Sequence, residues 1–329
     1  MRSDNLGRSP VAVTELSFGA AALGNLYSPV DERQAWSAVD AAWDAGIRYF
    51  DTAPHYGLGL SERRLGDALR TRPRREYTVS TKAGRLLRPG GPGGDDLANG
   101  FDVPADLRRV WDFSADGVRR SIHESLHRLG LDRVDIVYLH DPDDHAEEAF
   151  TEAYPALERL RAEGVVGAIG AGMNQSAMLA RFLRDTDVDV VLLAGRYTLL
   201  DQEGLVEVLP EAEARGKSVV IGGVFNSGLL ADPKPGATYN YAPVPEPVLE
   251  RALRMKEVAQ RHNVPLRAAA LRFALAHPAV TSVLLGARSS YEVQDAGAML
   301  RQPIPAALWA DLRGEGLLPE QVPVPEGGD

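Results

Sequence analysis

The sequence predicts an α/β protein folded as a (β/α)8 barrel, the TIM-barrel architecture. Eight short apolar segments alternate with longer amphipathic segments along the 329 residues, and this alternation is typical of parallel strands connected by helices. A doubly wound sheet shares the alternation, but its Gly-x-Gly-x-x-Gly turn after the first strand is missing, since that turn reads GAAALGN. We therefore predict one barrel domain over residues 1–329.

The predicted strands are short, apolar and mostly rich in Val, Ile or Leu, as expected for strands that are buried on both faces. They span residues 16–19, 47–51, 77–82, 136–140, 168–172, 190–194, 219–222 and 282–285.

Capping residues indicate where the predicted helices begin and end. Asp31, with Gln34 three residues later, is typical of a capping box, and Gly46 is expected to end the helix that follows. Ser61 and Ser114 are the predicted N-caps of two later helices. The predicted helices span residues 35–45, 62–69, 115–129, 154–163, 176–184, 204–215, 247–262 and 265–276.

Two insertions interrupt the alternation of strands and helices. Residues 84–111 contain GRLLRPGGPGGDDLANG, which we predict to be too rich in Gly and Pro for a packed element, and residues 231–247 contain five prolines. Both insertions follow strands, so we expect them over the C-terminal mouth of the barrel, where loops usually carry substrate contacts.

Composition narrows the classes of function. The 36 Lys and Arg residues face 46 Asp and Glu residues, and the net charge of −10 argues against binding to nucleic acid or to an anionic membrane surface. Cysteine is absent, so no disulfide, thiolate nucleophile or Cys-bound zinc is expected. We see neither a signal-peptide pattern nor a run of about 18 apolar residues, and we expect a cytoplasmic protein.

Four polar residues lie at or just beyond the ends of three consecutive predicted strands: Asp51, Tyr56, Lys82 and His140. Each alone has an ordinary structural explanation, such as a turn cap or a satisfied core histidine. A lysine that ends a buried strand needs a carboxylate, however, and Asp51 on the neighbouring strand is the candidate. Together the four residues favour proton transfer at a carbonyl: Lys82 would lower the phenol pKa of Tyr56 from about 10, and His140 would orient the substrate oxygen.

The segments FDTAPHYGLGLSERRLGDAL, STKAGRLL and RLGLDRVDIVYLHDPD resemble the aldo-keto reductase superfamily, and the resemblance extends from the first strand to about Ala298. It implies that Asp51, Tyr56, Lys82 and His140 are the catalytic tetrad and that NADP or NAD carries the hydride. The segments GLGLSERRLG, VWDFSADGVRRSIHESLHRLGLDRVDIVYLHDPDD and IGGVFNSGLL are most similar to the sugar 1-dehydrogenases of that superfamily, which act on D-threo-aldoses, L-fucose and L-galactose, with pyridoxal 4-dehydrogenase as a relative.

The resemblance also implies a cofactor site. Asn174 corresponds to the residue that binds the nicotinamide amide, and Phe225 is a substitute for a tyrosine that usually stacks on the ring. Residues implied around the phosphates are Ser227, Gly228, Leu229, Gly286, Arg288 and Ser289. The sequence departs from the family pattern at Ala194, Gly222, Glu292 and Ala296. Arg288 favours a 2′-phosphate and Glu292 disfavours it, so the choice between NAD and NADP stays open.

Location alone suggests the substrate contacts. His55 precedes Tyr56, and Trp111 is expected either to pack on the apolar face of a sugar or to support the insertion. An acidic run near His145 (Asp141, Asp143 and Asp144) is interpreted as a solvated loop rather than a metal site.

These observations predict an oxidoreductase that converts an aldose to a lactone at C1. The alternatives are an NADPH-dependent reductase of small aldehydes or ketones, or a pyridoxal 4-dehydrogenase. A metal-dependent sugar isomerase or hydrolase on the same barrel is a second class, and a cofactor-binding regulatory subunit is a third, non-enzymatic class.

Overall fold

The computed structural model describes residues 1–240 and 242–325, in which eight parallel strands close into a barrel. Each strand pairs with the next one along the chain, and the last pairs with the first. The (β/α)8 prediction is confirmed, and each predicted strand overlaps one observed strand. The barrel strands are β1 (Leu16–Gly19), β2 (Tyr49–Asp51), β3 (Thr78–Ala83), β4 (Ile136–His140), β5 (Ala168–Met173), β6 (Val190–Ala194), β7 (Ser218–Gly222) and β8 (Val280–Gly286).

Helices surround the barrel and cover its apolar outer face. Two of them, α9 and α10, follow the last strand and were not predicted. The helices are α1 (Glu32–Asp44), α2 (Leu60–Leu69), α3 (Ala115–Leu129), α4 (Tyr154–Ala162), α5 (Ser176–Asp185), α6 (Val208–Arg215), α7 (Glu246–Arg261), α8 (Leu266–Ala274), α9 (Ser290–Arg301) and α10 (Ala306–Gly314). Short helical turns lie at Ala20–Gly24, Arg74–Glu76, Leu97–Asn99, Asp143–His145, Ala146–Glu148, Ala149–Ala153 and Glu203–Leu205.

The predicted caps are confirmed at Asp31 and Ser114 and wrong at Ser61. Asp31 accepts a hydrogen bond from the backbone N–H of Gln34 at 2.7 Å. Ser114 Oγ accepts one from the backbone N–H of Gly117 at 3.0 Å. Helix α2 instead begins at Leu60, one residue before Ser61. Ser61 is fully buried, and its hydroxyl donates to the Ala20 carbonyl at 2.7 Å. It therefore binds the loop after β1 rather than the end of its own helix.

The first insertion is more ordered than its composition indicated. Strand Arg85–Pro89 pairs with Leu107–Trp111, and Asp95–Asp96 pairs with Phe101–Pro104, so the segment consists of two antiparallel ladders. The prediction that it lacks a packed element was wrong because the Gly and Pro residues are concentrated in the turn at 89–94. The flanking apolar residues pack together and against Tyr56. The insertion therefore covers the barrel mouth, as expected.

Two further strand pairs lie outside the barrel. An N-terminal hairpin pairs Ser3–Asn5 with Ala12–Thr14. Within the second insertion, Thr238–Tyr239 pairs with Ala242–Pro243, and residue 241 of that insertion lies outside the described residues, as do residues 326–329 of the predicted domain. No helix in the described part of the chain is long and apolar enough to cross a membrane.

Candidate active site

A buried ion pair links the C-terminal ends of β2 and β3. Lys82 Nζ donates to Asp51 Oδ2 at 2.6 Å and to the Thr52 carbonyl at 3.0 Å. Asp51 and Lys82 are only 1% and 2% exposed. Burial lowers the pKa of Lys82, but the charges of Asp51 and Tyr56 raise it, and the net shift is upward. The ammonium therefore stays charged although it is removed from water.

Tyr56 lies against this ion pair. Lys82 Nζ is 4.8 Å from the centre of the Tyr56 ring. Burial raises the pKa of Tyr56 to about 12, while the charge of Lys82 acts in the opposite direction. The expectation of a lowered pKa was therefore right about the effect of Lys82 and wrong about the net shift, because burial outweighs it. The phenol is neutral at neutral pH and is able to donate a proton.

The backbone around Tyr56 is held by a close glycine contact that the sequence analysis missed. A Cβ atom on Gly24 would lie 2.7 Å from the Tyr56 carbonyl carbon, closer than real Cβ atoms come. Gly57 has a φ of 58°, and a Cβ there would lie 2.3 Å from the Gly24 carbonyl oxygen. Only glycine at both positions lets the loop after β1 support the loop that carries Tyr56.

His140, the last residue of β4, completes the polar group. Its ring centre is 5.8 Å from that of Tyr56 and 5.7 Å from that of His55. Burial lowers the pKa of His140 well below its usual value, and the charges of Arg85 and Lys82 add to this effect. The imidazole is therefore neutral, and its single N–H is able to donate a hydrogen bond to a substrate oxygen.

Hydroxyl groups inside the barrel continue the network below Asp51. Ser80 Oγ donates to Asp51 Oδ1 at 2.6 Å. The Tyr49 hydroxyl lies 3.0 Å from Ser80 Oγ and 3.0 Å from the Tyr138 hydroxyl. The sequence analysis did not single out these residues, although polar side chains inside apolar strands were the available signal. Both carboxylate oxygens of Asp51 are thus hydrogen-bonded, which fixes the position of Lys82.

A cavity of about 490 Å³ extends from Tyr56 to Arg288. Small residues line the cavity near the barrel, including Gly19, Ala194 and Gly222. A volume of this order suits a ligand site. Phe225 and the small residues near Tyr56 would admit a nicotinamide ring, and Ser227, Gly228 and Arg288 would hold phosphate groups, so the residues present fit a nicotinamide dinucleotide. The cofactor residues predicted from the sequence that line this cavity are Phe225, Ser227, Gly228, Gly286 and Arg288.

Three predicted cofactor residues do not line the cavity. Asn174 Nδ2 donates to the Ala194 carbonyl at 3.2 Å, which holds the amide next to a residue that does line it. The Leu229 side chain is fully buried in the hydrophobic core. Ser289 is the N-cap of α9 and accepts a hydrogen bond from the backbone N–H of Glu292. The four positions that depart from the family pattern do line the cavity: Ala194, Gly222, Glu292 and Ala296.

Neither of the two predicted substrate residues lines this cavity. His55 contacts the insertion through Phe101, with ring centres 5.2 Å apart. Burial, together with the charges of Arg85 and Arg109, lowers the pKa of His55 to about 2, so this ring is also neutral. Trp111 is 43% exposed, and the Arg85 guanidinium lies 4.2 Å from the centre of its ring.

The acidic loop after β4 is the segment that the sequence analysis interpreted as a solvated loop rather than a metal site. Within residues 1–240 and 242–325, no group of three or more His, Asp or Glu side chains is arranged to hold a metal ion. Asp141 instead pairs with Arg85. The ligand set that a metal-dependent isomerase or hydrolase needs is therefore missing from this part of the chain.

Comparisons with known proteins agree with this geometry. The sequence profile of the aldo/keto reductase family matches residues 15–314. D-threo-aldose 1-dehydrogenase from a Pseudomonas species is 49% identical over 94% of this chain and 96% of its own length. Pyridoxal 4-dehydrogenase from Microbacterium luteolum is 42% identical over 95% of this chain and 97% of its own length.

A solved structure gives the same result for the fold. The holo form of an aldo-keto reductase from Bacillus halodurans superposes with a TM-score of 0.78 at 28% identity, covering 98% of this chain and 99% of that one. The chain therefore belongs to the aldo/keto reductase family and is an oxidoreductase that uses a nicotinamide cofactor.

Proposed function

We propose that this protein oxidises an aldose at C1 to a lactone, with NAD or NADP as the hydride acceptor. The proposal rests on one cavity that is lined by Tyr56, Asp51 and Arg288. The Lys82 ammonium lies 4.8 Å from the centre of the Tyr56 ring. The choice of an aldose draws on the relative that is named for D-threo-aldose oxidation and is 49% identical.

In this proposal the chain's own residues orient the sugar and move one proton. His140, which is neutral, donates a hydrogen bond to the anomeric oxygen and holds C1 towards the cofactor. A nicotinamide cofactor bound in the cavity would supply the hydride acceptor for C1. The phenolate form of Tyr56 accepts the proton of the anomeric hydroxyl, and Lys82 stabilises that form because it is a cation fixed by Asp51. In the reverse direction, the neutral phenol returns the proton to the carbonyl oxygen.

A second candidate is the oxidation of pyridoxal or the reduction of small aldehydes. The pyridoxal 4-dehydrogenase relative is 42% identical and matches nearly the whole chain. Neutral Tyr56 also suits proton donation, which is the role that a reductase needs. The same residues serve both directions, so only substrate preference separates these candidates.

A substrate panel tests the proposal. Aldoses of several configurations, pyridoxal and simple aldehydes are each offered with NAD(H) and NADP(H), and nicotinamide absorbance reports turnover. We expect aldose-dependent reduction of one cofactor, with the lactone as product and no loss of rate in a chelator. Turnover of pyridoxal or simple aldehydes without any aldose would overturn the proposal. Tight cofactor binding without any substrate-dependent change would indicate a regulatory subunit instead.

Cofactor preference is decided by the same panel. Arg288 lines the cavity, and its guanidinium donates to Ser28 Oγ. Glu292 lines the same region and accepts a hydrogen bond from the Arg288 backbone N–H at 2.8 Å. The guanidinium attracts a 2′-phosphate and the carboxylate repels it. We therefore propose NAD and NADP as the two acceptors to compare.

A further inference from the structure

An ion pair at the barrel mouth lies directly beside His140. Arg85, on the first strand of the insertion, pairs through its guanidinium with Asp141 Oδ2. The same oxygen is 3.6 Å from His140 Nε2. The Arg85 side chain is 9% exposed and that of Asp141 is 32% exposed. The carboxylate is therefore open to a ligand, while the guanidinium that holds it is buried.

The backbone of Asp141 has an unusual conformation. Its φ is 42°, in the left-handed region that few residues other than glycine adopt. The Asp141 N–H donates to the Gly172 carbonyl on β5 at 3.1 Å, which fixes the turn. Such a conformation is strained and is often found at binding sites. It turns the Asp141 side chain from the end of β4 towards Arg85 and His140.

Two neighbours of this carboxylate carry buried polar atoms without a protein partner. Among the residues that the structure describes, Arg85 Nε and His140 Nδ1 are buried and make no hydrogen bond. Buried polar atoms normally have a partner, so this part of the mouth has hydrogen-bonding capacity that a ligand can use. The exposed ring of Trp111, which Arg85 approaches to 4.2 Å, adds an apolar surface at the same mouth.

We propose that Asp141, positioned by Arg85, accepts a hydrogen bond from the substrate hydroxyl on the carbon next to the reacting one. A carboxylate accepts hydrogen bonds and donates none when ionised, so it selects a hydroxyl over a hydrogen atom at that carbon. The position of the reacting carbon beside His140 is taken from the proposed function. Asp141 is thus the residue that makes this enzyme prefer polyhydroxylated substrates.

The competing explanation is structural: the ion pair only fastens the insertion to the barrel. The insertion offers a matched control for it. Arg88, on the same strand as Arg85, pairs with Glu124 of α3 at 2.9 Å, outside the site. Glu124→Gln removes a fastening ion pair from the same insertion without changing the barrel mouth.

The experiment compares lactaldehyde with propanal, which has the same carbon chain but lacks the hydroxyl on the carbon next to the aldehyde. Reduction of each by the holoenzyme gives a ratio of kcat/KM values for the wild type, Asp141→Asn, Arg85→Lys and Glu124→Gln. Differences in aldehyde hydration cancel when this ratio is compared between variants. Asp141→Asn keeps an acceptor oxygen but removes the charge that strengthens the hydrogen bond, so it should lower the ratio by about five- to tenfold. Arg85→Lys should lower it in the same direction, and Glu124→Gln should change it less than about twofold.

Two results would overturn the proposal. One is an equal loss for both aldehydes in Asp141→Asn, which would indicate a structural role. The other is a fall of the ratio in Glu124→Gln that is as large as the fall in Asp141→Asn, because Glu124 lies outside the site. If Asp141→Asn does not fold, Arg85→Lys alone decides, since an unchanged ratio there rejects the positioning role. Failure of the wild type to oxidise any aldose rejects the proposed function separately, because the ratio of lactaldehyde to propanal is measured in the reductive direction.

Discussion

Tyr56 is under two opposing electrostatic influences. Burial raises its pKa to about 12, and the positive charge of Lys82 opposes that rise. Lys82 keeps its charge because Asp51 Oδ2 lies 2.6 Å away and the Thr52 carbonyl accepts a second hydrogen bond. The phenol is thus neutral at rest, and its phenolate form has a fixed cation beside it.

The rates of oxidation and reduction should respond differently to pH. A group with a pKa of about 12 is protonated at neutral pH, and below its pKa the phenolate fraction grows about tenfold per pH unit. Oxidation needs the phenolate, so kcat for oxidation should rise with pH through the alkaline range. Reduction needs the phenol, so kcat for reduction should stay flat there. Initial rates in both directions over the same buffers test this, and an oxidation rate that is level or falls with pH would contradict it.

Three neighbouring strands together position the side chains around Tyr56. Asp51 and His140 are the last residues of β2 and β4, with Lys82 near the end of β3 between them. Register pairs Asp51 with Ser80, which brings the serine hydroxyl to the carboxylate. The loop after β1 then supports Tyr56 through the contact between Gly24 and Gly57.

Replacement of Gly24 by alanine should disturb catalysis more than stability. The added Cβ would lie 2.7 Å from the Tyr56 backbone, so that backbone must move. Overpacking of this kind costs about 1–3 kcal/mol, and a displacement of about 1 Å at a catalytic group lowers turnover by about 10²-fold. Thermal unfolding and kcat are the measurements.

The matched control for Gly24→Ala is Gly314→Ala at the end of α10. A Cβ at Gly314 meets nothing within 4 Å, so both stability and turnover should be nearly unchanged. Full activity in Gly24→Ala would mean that the glycine contact does not position Tyr56.

The number and order of elements could be predicted from periodicity, whereas the shape of the loops could not. Apolar runs identified all the barrel strands because a buried parallel strand has few other compositions. Ser61 was misassigned because the sequence shows only that a serine lies at the start of a helix. It does not show what the hydroxyl binds, which here is the Ala20 carbonyl rather than the helix's own backbone. The insertion was wrongly predicted to lack packed elements because its glycine residues lie mostly in the turn. The strands on either side of that turn have an ordinary composition and pair with each other.

At the scale of the whole barrel, the catalytic residues and most of the cavity wall come from different strands. Asp51, Lys82 and His140 come from neighbouring strands β2 to β4, and their grouping followed from the sequence because adjacent strand ends must converge. The cavity wall comes largely from β6 to β8 and the loops after them. The sequence did not predict the contact between Asp141 and Arg85, because that contact depends on how the insertion folds back over the mouth.

This separation predicts that cofactor binding and proton transfer are lost independently. Tyr56→Phe removes only a hydroxyl, while the far end of the cavity at Arg288 is unchanged. The direct test measures the Kd of the variant for the nicotinamide cofactor by fluorescence and its kcat in both directions. We predict a Kd within about twofold of the wild type and a kcat lower by about 10² to 10⁴ in both directions, which is the usual contribution of a general acid or base. A variant that turns over at the wild-type rate would contradict the assignment of Tyr56 as the proton-transferring group.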